Sequence, residues 1–236
     1  MTPVLTSVPL PATAPIRTQF PPGVLFDLDG TLLDSAPDML VTVNAMRARR
    51  GIAPMQLHDL RPHVSRGARA MSGAAFPDWD GDAVLAAVPE FLETYRLELG
   101  RHCHAFEGID AMLAALEAQG TRWGIVTNKP EALARPLLPM LGWEQRCAVL
   151  VGGDSLPQRK PHPLPLLHAA QALGVAPQDC VYVGDDKRDI DAARAAGMRS
   201  VVALWGYRLQ DDDPHQWGGD ALIEAPAGLC SAHAWP

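Results

Sequence analysis

The chain has 236 residues, 47% of them hydrophobic and 20% charged, with a formal net charge of −7. This length and apolar fraction suit one α/β domain with a modest insertion, able to bury a core without disulfide or metal. The acidic balance argues against a nucleic-acid or membrane-surface partner, because either favours a basic face.

Residues 1–22 are rich in proline and lack both the basic start and the continuous apolar core of a signal peptide. They read as a flexible leader, and the cytoplasm is the expected location. Val24-Leu25-Phe26 follows Pro-Pro-Gly and ends in Asp27, as a short buried strand would. Four similar runs follow: Trp123 to Thr127, Ala148 to Val151, Cys180 to Val183 and Ser200 to Leu204. Helical spacing precedes three of them, at Ile109, Met112, Leu113 and Leu116, at Leu166, Leu167, Ala170 and Leu173, and at Ile190, Ala193 and Ala196. Alternating strand and helix predicts a Rossmann-like parallel sheet with helices on both faces.

One interval breaks this rhythm. The stretch between the first strand and Ile109 is too long for a single crossover. It carries helical patterning at Met39 to Met46, Ala83 to Val88 and Phe91 to Leu99, punctuated by Pro62, Gly67, Pro77 and Gly81. The expected organisation is a core of residues 23–35 and 105–236 with an all-helical cap at 36–104. Inserted there, the cap would sit over the carboxyl ends of the strands, where open α/β sheets bind ligands. Cys147 and Cys180 fall in strand-like runs and are expected as buried thiols. The four cysteines contain no C-x-x-C pair, and their low number fits a reducing compartment. No run of about 18 apolar residues offers a bilayer span.

The strongest chemical signal is Asp27-Leu28-Asp29-Gly30-Thr31 at the end of the first strand. Two carboxylates at i and i+2 of an extended segment point the same way and repel. A bound cation, or a division of acid and base roles, removes that conflict. An acidic D-G turn is the bland alternative. Three more pieces fall at later strand ends: Thr127-Asn128, Lys160-Pro161, and Gly184-Asp185-Asp186-Lys187-Arg188-Asp189. Each alone reads as a cap, a turn or a surface charge. Together they bring carboxylates, a hydroxyl and an ammonium to one rim.

The order D-x-D-G-T, T-N, K-P, G-D-D-x-x-D resembles the four motifs of the haloacid dehalogenase superfamily, over about residues 24 to 229. The resemblance implies a Mg²⁺-dependent phosphatase. In it Asp27 would be the nucleophile and Asp29 the general acid and base. Thr127, Asn128 and Lys160 would hold the phosphate. Asp27, the carbonyl of Asp29, and Asp185 would bind the metal, with Asp189 in support and Asp186 outside the first ring of ligands. The implied partner is a small-molecule phosphate ester, and oligomeric state stays open. Within the superfamily, Asp27 to Pro37, Lys160 to Pro163 and Gly184 to Gly197 resemble phosphoglycolate phosphatases. Ser65 to Met71, Trp123 to Pro130, Gly184 to Ile190 and Trp205 to Asp220 resemble N-acetylmuramic acid 6-phosphate phosphatases.

Three rivals stand beside this reading. A response-regulator receiver uses a similar residue set without catalysis, but in a shorter chain with its acceptor on a later strand. A dehalogenase needs no second aspartate, so Asp29 argues against one. A phosphosugar mutase shares both the motifs and the small cap. Arg66 and Arg69 in the cap are candidate specificity residues, because guanidinium suits a substrate carboxylate. Their segment reads as a loop leading into a helix. His102-Cys103-His104 reads as a linker from cap to core, Asp211-Asp212-Asp213 as a solvated loop, and Arg49-Arg50-Gly51 as a helix end.

Overall fold

The computed structural model describes residues 19–209 and 211–236. The proposed leader therefore lies almost wholly outside the described residues. The chain opens with β1 (Gly23–Phe26) and the two-residue β2 (Leu33–Asp34). The insertion holds α1 (Ala36–Ala48), α2 (Leu57–Leu60), a 3₁₀ segment (Arg61–Arg66), α3 (Gly67–Ala75), α4 (Gly81–Ala86) and α5 (Val88–Glu98). The chain returns through β3 (His104–Ala105), then α6 (Ile109–Ala118), β4 (Arg122–Val126), α7 (Glu131–Ala134), α8 (Leu137–Met140) and β5 (Leu150–Val151). It ends with α9 (Leu164–Leu173), β6 (Cys180–Gly184), α10 (Lys187–Ala195), β7 (Arg199–Ala203), β8 (Ala221–Ile223) and short 3₁₀ turns.

The main sheet is parallel, in the order β5-β4-β1-β6-β7-β8. Its buried strands alternate between two apolar layers, as period two requires. Val24, Phe26, Val181 and Val183 face the layer of α6, with Trp123 and Trp143. Leu25 and Tyr182 face the opposite layer, with α9 and α10. β1 lies between β4 and β6, so Asp27 emerges at the centre of the sheet.

The helical insertion has its own apolar centre. Met39, Val43 and Met46 repeat at helical spacing on α1 and meet Leu60, Val64, Met71, Phe91 and Tyr95. Leu133 and Tyr207 join that cluster from outside the insertion, so cap and core are packed together. The chain enters and leaves the insertion through paired strands, Leu33 opposite Ala105 and Asp34 opposite His104. Asp38, fully buried in the first turn of α1, accepts from the Gly100 N–H at 2.8 Å and the His102 N–H at 2.6 Å. The two connections are thereby joined at one carboxylate.

The structure departs from the sequence expectations in four places. β8 is an additional strand, hidden because it is three residues long and only half-buried at the sheet edge. The third expected strand shortens to Leu150–Val151, which leaves Cys147 half-buried in the preceding loop rather than in a strand. α2, with only Leu60 buried, gave too little periodicity to be read. The acidic triplet is not merely solvated: Asp212 accepts from the Trp217 indole at 3.0 Å, and Asp213 caps a 3₁₀ turn.

Replacing Asp38 with alanine removes two charge-assisted hydrogen bonds at once. The expected loss is about 2–4 kcal/mol of unfolding free energy, read from urea denaturation. A change below about 0.5 kcal/mol would show that water replaces the carboxylate without cost.

Candidate active site

The parallel sheet brings the strand-end residues to one rim. Asp27 follows β1, and its Oδ1 accepts from the Leu28 N–H at 2.7 Å. Lys160 Nζ lies 3.0 Å from that same oxygen, 2.7 Å from Asp189 Oδ1 and 2.7 Å from the Tyr182 hydroxyl. The Lys160 side chain is only 2% exposed. Asp189 is fixed from its other side by the Asp186 N–H at 3.1 Å, within a capping box that starts α10. Asp186 also pairs with the Arg188 guanidinium at 2.7 Å.

Asp185, at the end of β6, is fully buried. It accepts from Thr31 Oγ1 at 2.9 Å, Ser65 Oγ at 2.8 Å and the Tyr207 N–H at 3.0 Å. Two glycines allow the main chain to come this close. A Cβ on Gly30 would lie 2.2 Å from Asp185 Oδ2, and Gly30 also has φ +88°. A Cβ on Gly206 would lie 2.2 Å from Asp185 Cβ.

Oxygens of Asp27, Asp185 and Asp189 lie within 4.8 Å of one another, all three residues being buried. Two of them, Asp27 and Asp189, also hold Lys160. Burial, with Asp27 and Asp189 adding repulsion, pushes the Asp185 carboxyl well above its ordinary range. Burial also raises Asp189 to about 7, with Asp27 and Asp186 adding to it against the opposing pull of Lys160. For Lys160, burial favours the neutral amine, but Asp189 and Asp27 more than offset it and raise its pKa. Hard oxygen donors with negative charge left over fit a divalent cation of the Mg²⁺ or Ca²⁺ type.

The carboxylate of Asp29 is not part of this cluster. It turns to Lys129 Nζ, at 3.0 and 3.2 Å from its two oxygens. Thr127 lines the cavity and accepts from the Lys129 N–H at 3.2 Å. Asn128 donates its side-chain amide to the Lys160 carbonyl at 3.0 Å.

A cavity of about 510 Å³ opens between these residues and the helical insertion. Asp27, Asp29, Thr127 and Asn128 line its floor, and Met39, Val64, Met71, Phe91 and Leu133 its apolar wall. Arg66, Arg69, Lys129, Arg159 and Arg188 supply its cationic lining. Arg66 stays 47% exposed with Asp212 3.5 Å away. Ser65 to Met71 runs from the 3₁₀ segment into α3, as the loop-to-helix reading expects. His102 and His104 do not combine into a metal-ligand group among the described residues.

Sequence reasoning included Thr31, Ser65, Lys129, Arg188 and Tyr207 in quoted motifs or stretches without giving them a role, and it missed Tyr95. Lys129 directly follows Thr127-Asn128 and lies within the Trp123 to Pro130 stretch, but neither signal assigned it a role. Ser65, Tyr95 and Tyr207 reach the site only through tertiary packing.

The family described as haloacid dehalogenase-like hydrolase matches residues 24–203. The chain belongs to that family, and the receiver-domain alternative falls. It is an enzyme of the phosphoric monoester hydrolase class. A relative from Xanthomonas campestris pv. campestris, named phosphoglycolate phosphatase, is 62% identical over 92% of this chain and 99% of its own length. One from Pseudomonas aeruginosa, named N-acetylmuramic acid 6-phosphate phosphatase, is 42% identical over 88% of this chain and 92% of its own. A crystal structure from Haemophilus somnus, described as a predicted phosphoglycolate phosphatase, superposes with a TM-score of 0.77 at 29% identity. It covers 90% of this chain and 97% of the other. No described helix is long and apolar enough to cross a membrane.

The raised carboxyls predict how a cation acts on stability. A folded-state value of about 7 against 3.8 for the free side chain means that Asp189 favours the fold while protonated. That contribution is complete below 3.8 and is lost as pH rises through about 7. In chelator, thermal stability should therefore decline from pH 5.5 to pH 8.5, and a saturating divalent cation should restore more at the higher pH. Melting curves at both pH values test this. An equal cation-induced shift at the two would contradict it.

Proposed function

We propose that this enzyme is a Mg²⁺-dependent phosphatase that hydrolyses a carboxylate-bearing phosphate monoester, with Asp27 as nucleophile. The observation that carries the reading is the buried Asp27 beside Lys160, Asp185 and Asp189, facing a cavity. Asp27, Asp185 and the Asp29 carbonyl would hold Mg²⁺, with Asp189 in support. When bound, the ion would neutralise phosphoryl oxygens and so reduce their repulsion of an anionic nucleophile.

In this mechanism Asp27 attacks phosphorus, and the bond to the leaving oxygen breaks as an aspartyl-phosphate forms. Asp29 gives a proton to the departing alkoxide. It then takes one from the water that releases phosphate and restores Asp27. Thr127, Asn128 and Lys160 hold the phosphoryl group, chiefly by charge and positioning. Residues 36–104 act as the cap that selects the leaving group, and 23–35 with 105–236 as the catalytic core. The free cysteines support a reducing, cytoplasmic setting.

For the substrate, cavity size favours a sugar-acid phosphate such as N-acetylmuramic acid 6-phosphate. Cavities of roughly 300–1,000 Å³ hold ligands much larger than phosphoglycolate. The apolar wall gives an N-acetyl or lactyl group something to pack on, and Arg66 and Arg69 suit its carboxylate. Phosphoglycolate is the second reading, favoured by the name of the 62% identical relative.

Asp27→Asn should lower phosphate release by about 10³-fold or more with the fold intact. A near-wild-type rate would remove Asp27 as nucleophile. Full activity in excess chelator would remove the cation. Arg66→Ala and Arg69→Ala, assayed on both carboxylate-bearing esters and on p-nitrophenyl phosphate, locate specificity. Loss of kcat/KM by about tenfold confined to the carboxylate-bearing esters is expected. Equal loss on all three esters would place selection elsewhere in the cap.

A further inference from the structure

Lys129 is a buried cation that the proposed mechanism does not use. Its side chain is 3% exposed, and its ammonium has three donors. Three acceptors surround it: Asp29 Oδ1 at 3.0 Å, Asp29 Oδ2 at 3.2 Å and the Tyr95 hydroxyl at 2.6 Å. The Tyr95 ring adds a face to the cation, 4.6 Å from Nζ to its centroid. Burial alone would favour the neutral amine, but Asp29 and Tyr95 more than offset it and hold the charge.

The three residues come from three parts of the chain. Asp29 lies in the loop after β1 and Lys129 in the loop after β4. Tyr95 lies on α5 of the helical insertion, itself only 2% exposed. A carboxylate held at both oxygens by one ammonium has a single orientation. That ammonium is in turn held from the cap. Lys160 differs, because it lies against Asp27, where the phosphoryl group would be carried.

We propose that Lys129 is a positioning residue for Asp29, and that Tyr95 extends this control to the cap by holding Lys129 in place. The proposal rests on the reading of Asp29 as the acid and base. Orientation of Asp29 then depends on a contact that only the packed cap provides, so acid-base chemistry is coupled to cap placement.

The test separates the two halves of the reaction. An aryl leaving group needs no proton, so kcat/KM for p-nitrophenyl phosphate reports attack by Asp27 without help from Asp29. Its kcat includes release of phosphate by water, which needs Asp29. An alkyl phosphate needs Asp29 in both halves. Asp29→Asn is the reference. It should lower kcat on p-nitrophenyl phosphate while sparing kcat/KM, and lower both on an alkyl ester.

Lys129→Ala should reproduce that pattern, with kcat on p-nitrophenyl phosphate down by about tenfold or more and kcat/KM within about threefold. Lys129→Arg should recover part of the loss. Should Lys129→Ala fail to fold, Tyr95→Phe removes one oxygen and carries the test with the same pattern, about threefold in kcat. Added to Asp29→Asn, Lys129→Ala should cost nothing further, because both act on one group. If Lys129→Ala lowers aryl kcat/KM as much as kcat, Lys129 holds the phosphoryl group and the proposal is overturned. No change in Lys129→Ala, or none in Tyr95→Phe where it carries the test, overturns it as well. If Asp29→Asn itself shows no split between kcat and kcat/KM, the acid-base reading of Asp29 fails, and the assignment of Lys129 falls with it.

Discussion

Three buried carboxylates gathered at one edge, two of them held by one lysine, are the constraint on which the rest of this structure depends. Burial and repulsion from their neighbours in a low-dielectric setting raise the Asp185 and Asp189 carboxyls above their ordinary range. Parallel strands make the cluster unavoidable, because β1 and β6 end side by side and deliver Asp27 and Asp185 to the same edge. The capping box of α10 adds Asp189. Gly30 and Gly206 then let backbone approach Asp185, and its hydrogen bonds come from Thr31, Ser65 and the Tyr207 amide. These features serve one end: to keep anionic oxygens close together where a cation can share them.

The second consequence concerns the helical insertion. It touches the charged floor at two points of different character. Ser65, from the 3₁₀ segment, reaches Asp185, while the Arg188 guanidinium donates to the Ser65 carbonyl at 2.6 Å. Tyr95, from α5, reaches Lys129 and through it Asp29. The first contact lies at the proposed metal side and the second at the proposed proton-transfer side. Asp38 ties Gly100 and His102 to the start of α1, so the two connections share an anchor.

How much of this was legible in the sequence follows from where each signal lives. β1, β4, β6 and β7 are buried on both faces, and parallel strands of that kind write themselves as apolar runs. Residues at their carboxyl ends were legible for the same reason, since each run points to the next residue. β8 left no run because it is short and half-exposed. Lys129 is adjacent to a recognised pair, yet a lysine before proline reads as a surface charge until its burial is known. Ser65 and Tyr207 lay in stretches noted for their resemblance but with no sign of what they would touch, and Tyr95 had no local signal at all. A tyrosine on the apolar face of α5 is indistinguishable from core until the facing residue is Lys129. In the α5 sequence itself Tyr95 is one more apolar position after Phe91.

These two kinds of residue divide the labour of the site. Those written at strand ends supply charge, and any chain with this sheet order would place them alike. Those supplied by packing fix orientation, and they depend on how the insertion rests on the sheet. The cavity wall follows the same division. Asp27, Asp29 and Thr127 belong to the strand ends, while Val64, Arg66, Arg69, Met71 and Phe91 belong to the insertion. A leaving group bound in the cavity therefore touches the same body that carries Tyr95. In the proposed mechanism, selection of the leaving group and orientation of Asp29 are not separable tasks, because α5 contributes Phe91 to one and Tyr95 to the other, a single helical turn apart.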